Sequence, residues 1–152
     1  MNEKGLARWS EQVYAREGVA PLLLALQDEA GEDVLLLLLA AWLQQQGRGL
    51  SVDVWQQVHA QQAQWRDALM LPLRQARRAL AQQADLQAQY QQLKAIEIEV
   101  ELARLSELEQ VLAQGTPADE PMQAALTAAC SGARTGRREQ LLADLAPQLS
   151  SR

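Results

Sequence analysis

Phenylalanine is absent from this chain, and its 152 residues include one cysteine, one histidine and two tyrosines. Each scarcity removes a class of chemistry. One thiol, Cys130, cannot make an internal disulfide or a multi-cysteine metal site. One imidazole, His59, rules out a histidine cluster, and no Glu-x-x-His pair is present to build a mixed carboxylate site, so no metal is expected. His59 also has no serine or cysteine nucleophile in a matching local pattern, and it reads as an ordinary, partly exposed helix histidine. Cys130 lies among Ala128, Ala129, Ser131 and Gly132 with no basic neighbour, as an unactivated thiol would. There is no Gly-x-Gly-x-x-Gly after a strand and no Gly-Lys-Ser/Thr loop, and Gly47-Arg48-Gly49 is too short to cradle a phosphate. No cofactor is expected and no residue is assigned a catalytic role.

Positive charge is also in deficit, with 14 Lys+Arg against 19 Asp+Glu and a net charge of −5. A nucleic-acid binder is usually basic overall or over one face, so nucleic acid is not an expected partner. The opening Met1–Gly5 lacks the apolar core of a signal peptide, and the expected location is cytoplasmic. Proline (5) and glycine (8) are sparse, whereas Leu, Ala and Gln abound, a composition that favours helix throughout.

The dominant positive feature is the run Asp33-Val-Leu-Leu-Leu-Leu-Leu-Ala-Ala-Trp42-Leu43. Only Val34 in it is β-branched, so the run predicts a helix over about 33–46 rather than a buried strand. Asp33 suits its N-cap, and Gly47 suits the left-handed position just past its end. Val34–Leu43 covers 10 residues, and a membrane span needs about 20. The apolar stretch 19–26 cannot extend it, because Asp28, Glu29, Glu32 and Asp33 intervene. A helix apolar on all sides is surrounded by others. The expected fold is therefore all-α: a single-domain bundle of six to eight helices around this buried leucine-rich axis, with residues 1–114 as core and 115–152 as a partly mobile C-terminal extension.

Around that axis, a first helix is expected over 6–16, with Leu6, Trp9, Val13 and Tyr14 on one face. A second follows Gly18, takes Pro21 in its first turn and ends at Gly31, forming a tight hairpin with the central helix. Ser51 caps a fourth helix, which is expected to end near Gln61–Gln64. Trp65, Leu69, Leu73, Ala76 and Leu80 then recur at helical spacing, and Pro72 is expected to kink that segment. A long helix is expected over 85–114. Its Glu97–Leu102 alternation has the period of a strand, but strong helix formers flank it. On that helix Ile96, Val100 and Ala103 take one face and Ile98, Leu102 and Leu105 another, which suggests a helix held between two partners, and a homodimer through residues 86–113. Short helices are expected after Pro121 and after Gly136, the latter interrupted near Pro147, with 132–136 a mobile loop.

Candidate binding residues are Arg66, Arg74, Arg77 and Arg78, a basic stripe in an acidic protein. It would suit an anion, an RNA backbone or an acidic protein partner; the alternative is intramolecular pairing with Glu97, Glu99, Glu101, Glu107 and Glu109. Trp9, Tyr14, Trp42, Trp55 and Trp65 are candidates for lining a pocket, or else for filling core.

The landmarks Trp9-Ser10, Val13-Tyr14, Gly18-Val19, Leu26-Gln27, Gly31, Asp33-Val34, Leu36–Leu38, Trp42, Trp65-Arg66 and Pro72-Leu73-Arg74 resemble an uncharacterised proteobacterial family of short helical cytosolic proteins, a domain of unknown function. The resemblance covers roughly residues 6–112. It implies a helical fold and supplies no reaction or cofactor. The family carries a polar residue, often Asn, after the Asp-Val pair, where this chain has Leu35. The leading reading is a non-enzymatic helical interaction or regulatory protein. The alternatives are a binder of a small anionic ligand or minor enzyme with a tryptophan-lined pocket, and an RNA- or ribosome-associated factor.

Overall fold

The computed structural model describes residues 5–150; the first four residues of the signal-peptide reading lie outside them. The helices are α1 (Leu6–Tyr14), α2 (Val19–Ala30), α3 (Val34–Gln45), α4 (Val52–Trp65), α5 (Leu71–Ala81), α6 (Gln87–Leu108), α7 (Met122–Ala128) and α8 (Gly136–Ser150). The all-α expectation holds. The only strands among the described residues are β1 (Arg48–Gly49) and β2 (Thr116–Pro117), a two-residue antiparallel pairing where turns alone were expected. Their pairing fastens the exit of α3 to the segment after α6, helped by the Ala118 amide donating to the Gly47 carbonyl at 2.9 Å.

α3 is the axis. Every residue from Leu35 to Leu43 is buried, and α1, α2, α6, α7 and α8 all contact it. Asp33 caps it as expected: Oδ1 accepts from the Leu35 and Leu36 amides at 2.9 and 3.2 Å. α2 ends at Gly31, whose φ of 70° is a left-handed conformation that glycine adopts without a Cβ penalty. α2 lies chiefly along α8 and meets α3 less extensively, so the expected α2–α3 hairpin is replaced by packing against the C-terminal helix. The apolar face Val19, Leu23 and Leu26 is closed by Leu141, Leu142, Leu145 and Leu149 of α8, one continuous core. Among the described residues no helix is long and apolar enough to cross a membrane.

Three boundaries differ from expectation. α4 does not stop near Gln61–Gln64; it runs to Trp65 and continues through a π-helical turn, Arg66–Met70, into α5. The Leu71 amide closes that wide turn on the Arg66 carbonyl. Pro72 follows at once and has no amide to give, so the chain absorbs it by widening the preceding turn rather than by ending the helix. The long helix is regular to Leu108 and tightens to a 3₁₀ turn over Glu109–Gln114. α8 passes through Pro147 uninterrupted. Both Pro147 and Ala143, whose carbonyl loses its partner, are on the solvent side, where water replaces the missing bond.

α5 and the first half of α6 form a hairpin arm. α5 buries none of its residues, and α6 buries only Glu97 before Leu105.

Candidate functional site at the start of the central helix

The turn between α2 and α3 places two adjacent carboxylates, Glu32 and Asp33, back to back. Each holds a different part of the chain. Asp33, besides capping α3, accepts from Arg66 Nη1 at 2.7 Å and from Gln62 Nε2 at 3.1 Å. Gln62, fully buried on α4, accepts in turn from Arg104 Nε of α6 at 2.8 Å. The Arg104 guanidinium lies 5.5 Å from the centre of the Trp65 ring, at cation–π distance. Asp33 thus links α3 to α4, the π turn and, through Gln62, α6.

Glu32 turns the other way. It is 3 % exposed and accepts from the amides of Ser131 and Gly132 at 2.9 and 3.0 Å, and from Arg138 Nη1 at 3.4 Å. Arg138, 4 % exposed, also donates to Glu139 Oε2 and, at 2.9 Å, to the Gly132 carbonyl. A side chain at Gly132 would put Cβ 2.8 Å from Glu32 Oε2 and 2.9 Å from the Ala30 carbonyl, so the loop fits there only with glycine. The 132–136 segment, read as a loop, is pinned at this end by Glu32.

Between these groups lies a cleft of ≈ 210 Å³, bordered by Glu32, Asp33, Trp65, Arg66, Arg74 and Glu101. Arg74 Nη2 is 3.5 Å from Glu101 Oε2, and one turn along Arg77 Nε donates to Glu97. The three stripe arginines 66, 74 and 77 are therefore each paired inside the chain. Arg78 is exposed, with no carboxylate at ion-pair distance among the described residues. Of the other candidate partners, Glu107 pairs with Arg104 at 3.2 Å and Glu109 accepts from the Leu6 amide. Burial raises the Glu101 carboxyl above its ordinary value, opposed by Arg74 and reinforced by the negative charges of Glu97 and Asp33. Tyr14 of α1 is raised as well, by burial and by Glu101.

The aromatic candidates do not converge. Trp65 borders the cleft; Trp42 and Trp55 are core, Trp9 packs on the core half-buried, and Tyr14 is 38 % exposed. Trp55 stacks at a tilt on His59, whose ring centre is 5.9 Å away. Burial, aided by the Glu32 charge, pushes the Cys130 thiol up to about 12, so it is uncharged at neutral pH. Among the described residues no group of three or more His, Cys, Asp or Glu is arranged to hold a metal ion. Glu32, Arg104 and Arg138 were not singled out by the sequence. The contacts that build the site, Glu32 with Arg138 and Arg104 with Gln62, join residues tens of positions apart, and no local spacing marks them.

Asp33→Ala removes a cap and the Arg66 and Gln62 acceptors together. It is expected to lower the unfolding free energy by about 1–2 kcal/mol, and Asp33→Asn by less, since the amide oxygen still caps. Urea denaturation of both variants measures this; equal loss in the two would show that capping is not what Asp33 contributes.

These features define an all-helical domain with a charged cleft where its apolar axis begins. The chain belongs to the family described as "Protein of unknown function (DUF2390)", which it matches over residues 6–108. No curated protein and no solved structure matches it. The family match ends with α6, so α7, α8 and Arg138 lie beyond it.

Proposed function

We propose that this is a non-enzymatic helical interaction protein whose α5–α6 arm is the partner-binding element. One observation carries the reading. The stripe Leu69, Leu73, Ala76 and Leu80 has the spacing of a face that packs on a core, yet none of these residues is fully buried; Leu69 is 40 % exposed. The stripe Ile96, Val100 and Ala103 on α6 is open in the same way, with Ile96 45 % exposed. Neither stripe contains a charged side chain, so a second helical hairpin can lie on it without burying an unpaired charge. The partner we favour is a second copy of this chain, giving a four-helix arrangement of two arms.

The cleft is a weaker basis for function. At ≈ 210 Å³ it falls below the roughly 300–1,000 Å³ of small-molecule sites. Arg66 and Arg74, the groups that would hold an anion, already face carboxylates. A free basic contribution to an acidic partner is left to Arg78.

Light scattering across a concentration series tests this. The wild type is expected to self-associate, and the double variant Leu69→Lys/Ile96→Lys to stay monomeric with a melting temperature unchanged from that of the wild type at dilutions where both are monomers, because both sites are already exposed. A strict monomer at high concentration would sink the second-copy reading. Affinity capture comparing the same two proteins would then decide whether the arm binds anything else.

A further inference from the structure

We propose that the cleft at the start of α3 is a proton-responsive clamp on the α5–α6 arm, with Glu101 as the group that takes the proton. The inference concerns the arm assigned above to partner binding, and it is read without any partner.

The geometry concentrates charge where the arm leaves the body. Glu101 sits on α6 at the cleft wall, and each element packed there presents a charged or titratable group. Tyr14 comes from α1, Glu32 and Asp33 from the turn into α3, Arg66 from the π turn, Arg74 from α5, and Glu97 and Arg104 from α6 itself. Most carboxylates here have close cationic partners. Asp33 has Arg66 at 2.7 Å plus two backbone amides, Glu32 has Arg138 plus two amides, and Glu97 has Arg77. Among the described residues Glu101 has only Arg74, at 3.5 Å, as a cationic partner and accepts from no backbone amide. It is the least compensated negative charge in the cluster, with Asp33 and Glu97 repelling it.

The attachment is also mechanically suited to respond. The arm is joined on the α5 side through the π turn Arg66–Met70 and has no buried residue in α5. Segments with few buried contacts open at low free-energy cost. Arg74–Glu101 and Arg77–Glu97 are its cross-links to α6, and the former borders the body.

The sign follows from the raised Glu101 carboxyl. The folded chain holds this proton more tightly than the unfolded chain does, so the associated stability is complete below the ordinary value of 4.5. It is lost as pH rises through the raised folded value. Protonation removes the repulsion from Asp33 and Glu97 and the cost of burying a charge, while the neutral carboxyl still accepts from Arg74. The arm is thus held more firmly in mild acid than at neutral pH. Tyr14 titrates only in alkali and does not enter this window.

Hydrogen exchange of the full chain, at concentrations where it is monomeric and corrected for intrinsic rates, tests the clamp. Protection of the α5 amides is expected to rise as pH falls from about 7.5 to below 4.5, by up to roughly tenfold for each unit by which Glu101 is displaced. Amides of α3 serve as the control and are expected to change less. Glu101→Gln is expected to show the acid-like protection at every pH. A flat α5 profile in the wild type, or a wild-type slope in Glu101→Gln, would overturn the proposal. Should that variant fail to fold, carbon-13 titration of the wild-type Glu101 carboxyl decides: a midpoint at or below 4.5 overturns the proposal, and one above it supports it. Loss of self-association in the arm variants leaves these readouts intact, so the two readings fail separately.

Discussion

Replacing Arg138 by methionine is expected to lower the unfolding free energy by about 3–5 kcal/mol, the range seen when one partner of a buried ion pair is removed. Glu32, 3 % exposed, then loses its guanidinium partner. The Ser131 and Gly132 amides still donate to it, but they do not supply a countercharge. The double variant Glu32→Gln/Arg138→Met is expected to recover most of the loss, because glutamine removes the charge and keeps an acceptor for the loop. A buried pair is therefore poor evidence of net stabilisation; what it does here is tie the start of α8 to the turn between α2 and α3. Chemical denaturation of the single and double variants measures the difference. A single-variant loss below about 1 kcal/mol, or no recovery in the double, would show that this pair is not sealed from water.

Leu39→Ala is expected to cost about 3–5 kcal/mol and to lower the melting temperature by roughly 10 °C. Leu39 is fully buried midway along α3, where helices on several sides meet. Neighbours fixed on several sides cannot collapse into the space, so a cavity term adds to the lost transfer free energy. Leu24→Ala, at a position 45 % exposed on α2, is expected to change stability by less than about 1 kcal/mol. Thermal unfolding by circular dichroism separates the two; comparable effects would contradict the assignment of α3 as the axis.

Much of the helical content is legible from local pattern. Asp33, Ser51, Gly31 and Gly47 mark helix ends by backbone chemistry that needs no tertiary context, and they mark them where the structure has them. The Glu97–Leu102 alternation resolves as helix because its neighbours favour helix and no turn bounds it. Local pattern misleads at Pro72 and Pro147, where the outcome depends on whether the freed carbonyl reaches water or a widened turn. It also misleads at α2, whose partner is chosen by α8, more than a hundred residues away.

The arginine stripe shows the same limit. Spacing identifies Arg66, Arg74 and Arg77 as one face and offers carboxylates of α6 as partners. Two of the three pair that way. Arg66 instead finds Asp33, which the sequence had assigned only to capping.

The amino-acid sequence by itself determines that this chain is helical, that Val34–Leu43 is its buried axis, and that internal disulfides and multi-histidine sites are beyond it. Periodicity, composition and capping are local properties that act before the helices meet. The tertiary structure alone decides that Glu32 and Asp33 hold opposite parts of the molecule, that Arg66, Arg74 and Arg77 are paired within the chain, and that the arm's apolar stripes stay partly exposed. Those outcomes depend on which distant side chains come within hydrogen-bond reach and which surfaces find no partner in the chain, and sequence spacing encodes neither.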